Sequence, residues 1–226
     1  MLLNSLMGGD LREFFITLLL SLPIVFISLS VHETAHGFVA YKLGDPTAHN
    51  YGRITLNPIQ HIDPIGFICM LFFGFGWARP VPVNSRYFKK PRRDMALTGV
   101  AGPISNLILA VVFALLARLE YALCSPMALI NPATTVDYIW FFLWQMLWLG
   151  IEINVVFAVF NMIPIPPLDG SRLLFALLPP AQYFKFMRYE RYISIALMLA
   201  LFLGFLDTPI NLVSNLFLRL ITTLIF

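Results

Sequence analysis

The feature that most constrains this chain is His32-Glu33-Thr34-Ala35-His36, standing at the end of eighteen residues, Phe14 to Val31, that carry no charge. On an α-helix, histidines four residues apart share one face, with both imidazoles in reach of a single metal ion and Glu33 beside them. This is the spacing of a zinc peptidase motif. Two histidines and a glutamate at bilayer depth are expensive to bury, so they read as a functional site rather than as packing. The motif says much about chemistry and little about substrate.

Composition agrees with a membrane setting. Of 226 residues 59% are hydrophobic and 12% charged, and the mean hydropathy is +0.80, outside the balance of a soluble domain. Cys69 and Cys124 form neither a disulfide framework nor a paired-cysteine zinc spacing. A net charge of +3, with the basic residues gathered in a few loops, gives no sign of nucleic acid. Met1 to Leu11 holds no lysine or arginine, and the apolar run that follows contains the histidine motif, so the start does not read as a cleaved signal peptide.

Taken in order, a first helix is expected from about Leu11 to Leu43, ended by Gly44-Asp45-Pro46, with Pro23 a candidate kink. From Arg53 to Asn84, prolines and glycines punctuate a short apolar core, Ile65 to Ala78. That core is too short to span, so it reads as a re-entrant loop lining a cavity. After a basic stretch, Arg86 to Arg93, a second span covers Met95 to Ala117, with Gly99, Ala101, Gly102, Ser105 and Asn106 near its start. Small residues there let helices approach closely; the other reading is substrate contact at Gly102 and Asn106. A third span, Tyr138 to Met162, carries Trp140, Trp144 and Trp148 on one stripe, an interfacial belt and packing surface. Segments 192–206 and 210–226 make either a hairpin of spans or one span and an interfacial helix. The expected fold is an all-α integral membrane protein, a polytopic helix bundle with a three-helix catalytic core and a re-entrant loop. It forms one membrane-embedded domain over residues 1–226, with the core at about 11–175 and C-terminal helices at about 192–226.

Charge tests that topology. If basic loops face the cytosol, the stretches Lys42 to Arg53, Arg79 to Arg93 and Arg172 to Arg191 hold twelve of the fifteen lysines and arginines. The first helix then runs inward, the second outward and the third inward, which brings His36 and Asp169 to one depth. A catalytic zinc takes three protein ligands and keeps one open position. Asp169, freed from helical geometry by Pro164, Pro166 and Pro167, is the best third ligand beside His32 and His36. Glu33 is placed to act as general base, and Asn161 either donates to a developing oxyanion or simply ends its helix. His61 and Asp63 are a competing ligand pair, although Asp63-Pro64 also reads as turn chemistry. Glu152 receives no role, and His49 reads as an exposed loop residue.

These residues resemble the site-2 protease family of intramembrane zinc metalloproteases. The resemblance rests on His32 to His36, Gly52 to Pro58, His61 to Gly66, Gly102-Pro103-Ile104-Ser105-Asn106, and Asn161 through Pro164 to Gly170. It implies one zinc ion held by His32, His36 and Asp169, with Glu33 catalytic and transmembrane segments of membrane proteins as substrates, cleaved in signalling or protein turnover. It also implies a minimal form, since no stretch matches a PDZ or nucleotide-sensing domain. A non-hydrolytic metal carrier or transporter using the same ligands is the second functional class. Glu33 separates the two, because a carrier needs no general base.

Overall fold

The computed structural model of the chain describes residues 11–73, 77–124, 129–179, 182, 185 and 187–226. Its long elements are α1 (Leu11–Lys42), α4 (Pro91–Leu123), α5 (Thr135–Asn161) and α8 (Asp207–Ile225). All four are long and apolar enough to cross a membrane. Between them lie α2 (Thr47–Asn50), α3 (Pro64–Phe73), α6 (Ser171–Leu177) and α7 (Glu190–Phe202). Among the described residues the sole β pairing is an isolated bridge, Ile62 to Ala78. The chain is an all-α polytopic membrane protein.

In α1 the polar interruptions of the apolar run are satisfied locally. The hydroxyls of Ser28 and Ser30 donate to the carbonyls one turn back, at 2.7 and 2.6 Å, so neither leaves an orphan group in hydrocarbon. Helix α1 continues through Pro23. Helix α4 begins inside the basic stretch, earlier than sequence suggests. Pro91 suits the first helical turn, and the Asp94 carboxylate accepts from the Lys90 N–H at 2.9 Å and pairs with Arg93 at 2.7 Å. Helix α5 opens on a capping box, in which Thr134 and Asp137 satisfy each other's backbone N–H groups.

The three core helices alternate in direction. Asn106 on α4 bonds both Ser28 on α1 and Asn154 on α5. The C-terminal end of α1, the N-terminal end of α4 and the C-terminal end of α5 therefore share one end of the bundle. Away from that end the core is Ile24, Ala110, Phe113, Ala114, Ala117, Ile151 and Val155, where the alanines let α4 close on its neighbours. Trp148 stacks on Phe226 at 5.7 Å, so the tryptophan stripe packs against the end of α8. Of the two C-terminal helices only α8, with 19 residues, is long enough to span; α7 has 13.

The segment expected to re-enter does fold back on itself. It leaves after Asn57, forms α3 and returns as extended chain, closed by the Ile62–Ala78 bridge and by the Arg79 N–H donating to His61 O at 2.8 Å. Residues Pro64–Phe73, which include most of the apolar core, are helical. A ten-residue apolar run in hydrocarbon satisfies its own backbone most simply as a helix.

Ala114 is fully buried and Leu115, its neighbour, is 54% exposed. Ala114→Leu should overpack the α4 contact, cost about 1–3 kcal/mol and lower the thermal midpoint in detergent, whereas Leu115→Ala should not. Equal midpoints for both variants would contradict the packing described.

Candidate metal centre

At the shared end of the bundle, His32 Nε2 and His36 Nε2 lie 3.0 Å apart, and each is 2.9 Å from Asp169 Oδ2. All three residues are buried, at 5%, 3% and 8% exposure. Among the described residues they form the one group of three His, Cys, Asp or Glu side chains able to hold a metal ion.

The opposite ring atoms explain what this triangle can hold. His32 Nδ1 faces Asn106 Oδ1 at 2.6 Å, and His36 Nδ1 faces the Thr98 carbonyl at 2.6 Å. The Asn106 amide is oriented because its Nδ2 donates to Asn154 Oδ1 at 2.8 Å and to Ser28 O at 3.3 Å. Both Nδ1 atoms thus carry the ring proton, and both Nε2 lone pairs turn inward beside a carboxylate oxygen. Three acceptors that close repel one another unless a cation lies among them. Ligands about 2.0 Å from a tetrahedral centre stand about 3.3 Å apart, so the triangle fits a zinc-sized ion after a small outward adjustment.

Local structure places each member. The prolines after α5 stop the helix, and the chain turns back tightly enough for the Gly170 N–H to donate to Asn161 O at 2.7 Å, which points Asp169 at α1. Gly102 on α4 faces the two imidazoles. A Cβ there would collide with His32 and His36, so the missing side chain is what lets α4 reach the ligand pair. Arg172 lies 3.7 Å from Asp169 Oδ1, on the oxygen that does not enter the triangle. Glu33, 8% exposed, accepts from the Val81 N–H at Oε2, 2.9 Å away. Val81 belongs to the extended return, whose Arg79 carbonyl is held by Arg53 Nη2 at 2.6 Å. Burial and the neighbouring Arg79 charge push the Arg53 guanidinium down, while the Glu33 carboxylate pulls it back up.

The other residues singled out in the sequence lie outside the ligand triangle. Asn106, fully buried with both amide atoms engaged, orients His32 and has no free edge for substrate. Asn161 donates its amide to Phe157 O at 3.0 Å, turned onto its own helix. His61 bonds Thr55 O at 2.7 Å, and Asp63 Oδ1 accepts from the Gly66 N–H at 2.8 Å; both serve the loop's own architecture. His49 stacks on Tyr41 at 4.7 Å. Asn154, the Thr98 carbonyl and the Val81 N–H escaped the sequence reading. Only Asn154, an amide in the middle of an apolar span, carried a signal that could have found it.

Fold and site together define a multi-pass membrane protein with a buried metal-binding cluster and an acid beside it. Residues 20–205 match the model of Peptidase family M50. The chain belongs to that family and is a membrane metallopeptidase. Over 168 residues, 74% of this chain and 73% of the relative, it is 47% identical to "Putative zinc metalloprotease YwhC" of Bacillus subtilis. It is 31% identical over 153 residues to "Putative zinc metalloprotease MJ0611" of Methanocaldococcus jannaschii, covering 67% of this chain and 71% of that one. With "Putative zinc metalloprotease Rip2" of Mycolicibacterium smegmatis it shares 30% identity over 156 residues, 64% of this chain and about half, 51%, of the relative. No solved structure matches the chain.

If Asn106 fixes the His32 tautomer, Asn106→Leu should weaken zinc binding about 10–100-fold in chelator competition, while Asn161→Ala leaves it unchanged. Native affinity in Asn106→Leu would show that the amide does not orient the ligand.

Proposed function

We propose that the chain is a zinc-dependent intramembrane endopeptidase of the site-2 type, hydrolysing peptide bonds in or near transmembrane segments of membrane proteins. The observation that carries this is the convergence of two inward Nε2 atoms and a carboxylate oxygen, with Glu33 one residue along the same helix. In this reading His32, His36 and Asp169 hold one zinc ion. When bound, zinc lowers the pKa of a water and polarises a carbonyl.

The chain's own groups do the rest. Asn106 and the Thr98 carbonyl keep the imidazoles in the ligating tautomer. The Val81 N–H fixes one Glu33 oxygen and leaves the other to take a proton from the attacking water. As the water oxygen bonds to the carbonyl carbon and the C–N bond breaks, Glu33 returns that proton to the leaving amine. A carrier would have no use for such a base.

Three features support a membrane-embedded substrate. The bundle lies in four candidate spans. An apolar cavity of about 480 Å³ between α4, α5 and α8 is lined by Pro103, Ile104, Ala158, Met162 and Phe217, and Pro103 adjoins Gly102. The extended return at residues 77–84 passes beside Glu33 and holds it through the Val81 N–H, so a peptide bond reaching that base would lie against this segment. The catalytic unit comprises about residues 11–175, with the C-terminal helices at about 192–226 following it and α8 packed on it. The positive-inside rule puts the active site toward the cytosolic side of the cell membrane. The role is regulated intramembrane proteolysis or membrane-protein turnover, in a bilayer, without nucleic acid.

Glu33→Gln should retain zinc and lose about 10²–10⁴-fold in cleavage rate. Membrane proteomics of cells carrying this variant should show single-span proteins or stubs accumulating and co-purifying with it. Zinc retained with no accumulation and no loss of rate would favour a non-hydrolytic role.

A further inference from the structure

A second, smaller cavity lies on the α1 face that carries Glu33. It has a volume of about 60 Å³ and is bounded by Val25, Phe26 and Leu29 of α1, Phe67 of α3, Ala78 of the extended return and Phe157 of α5. Leu29 precedes Glu33 by four residues, one turn, or about 6 Å, deeper along the helix. Ala78 lies three residues before Val81, whose N–H holds Glu33. Phe157 supplies the carbonyl that takes the Asn161 amide, at the end of α5 from which Asp169 is delivered. The cavity therefore touches α1, which carries Glu33 and both histidines, the extended return that holds Glu33, and the end of α5.

Its walls are fixed. The rings of Phe26 and Phe67 meet at 5.6 Å. Gly66 is packed so closely on the Trp77 backbone that a Cβ would clash, which sets the distance between α3 and the return. Asp63, which also lines the cavity, has one oxygen engaged in capping α3.

Resting on the hydrolytic reading above, we propose that this cavity is a substrate subsite that receives one apolar side chain flanking the scissile bond, with Leu29 setting the size it accepts. The size follows from the volume. At about 10–15 Å³ per water-sized occupant, the cavity takes roughly four to six heavy atoms. That matches valine, leucine or isoleucine and falls short of an aromatic side chain. The occupant is a substrate side chain rather than a free ligand because the cavity lies one helical turn from Glu33 and is bounded by the return whose Val81 N–H holds that acid.

The test uses the full chain in liposomes with single-span substrates, varying each of the three residues on either side of the cut to Ala, Leu and Phe in turn. The native chain should prefer Leu to Phe by about tenfold or more in kcat/KM at one position only. Leu29→Ala should bring Phe at that position level with Leu or ahead of it, and Leu29→Phe should shift the preference to Ala. Val25→Ala enlarges the same cavity from another wall and should act like Leu29→Ala, which covers the case of a Leu29 variant that fails to fold. Cleavage retained with unchanged preferences in every folded variant would overturn the subsite and leave the protease intact. No cleavage by the native chain beyond that of Glu33→Gln would overturn both.

Discussion

Everything at the shared end of this bundle depends on satisfying the backs of two buried imidazoles. An unpaired ring N–H in an apolar bundle costs about as much as a lost hydrogen bond, and here Asn106 and the Thr98 carbonyl remove that cost while fixing which nitrogen is bare. Once both Nδ1 protons are committed outward, the inward lone pairs and Asp169 form a cluster that is stable only around positive charge. The same hydrogen bonds also tie α1 to α4, and through Asn154 to α5, so helix packing and ligand orientation are one network.

The second constraint is steric. Helix α4 reaches the ligands only because Gly102 offers no side chain at the contact, and deeper in the bundle the buried Ala110, Ala114 and Ala117 keep the approach close. The returning loop then reaches Glu33 from the other side. It is tied to α1 by the Thr34 hydroxyl donating to Thr55 O at 2.5 Å, and closed by Arg53 on the Arg79 carbonyl at 2.6 Å. Base and ligands are thus held by different parts of the chain, which lets the base be oriented without disturbing the metal set.

Much of this was legible before any coordinates. The uncharged run ending in His32 to His36 defines both a span and a site, because polar groups at that depth need a reason. The distribution of basic loops brought Asp169 to the depth of His36, and the structure places its oxygen 2.9 Å from both histidines. What sequence could not supply is carried by backbone and by pairing across helices. The Thr98 carbonyl and the Val81 N–H have no residue-type signature. Asn106 could be noticed but not told apart as a ligand-orienting group, since that depends on its amide being engaged on both sides. Asn161 read equally as an oxyanion donor or as a helix end, and its amide turns back onto the Phe157 carbonyl. The return loop read as irregular because of its prolines and glycines, while its apolar centre still closes into α3.

X-ray absorption at the zinc edge of the purified native chain tests the centre most directly. The account predicts one zinc with two imidazole nitrogens and oxygen ligands, all at about 2.0–2.2 Å, and no sulfur. A zinc–sulfur distance of about 2.3 Å, pointing to Cys69 or Cys124, or a single imidazole, would contradict a centre built from His32, His36 and Asp169.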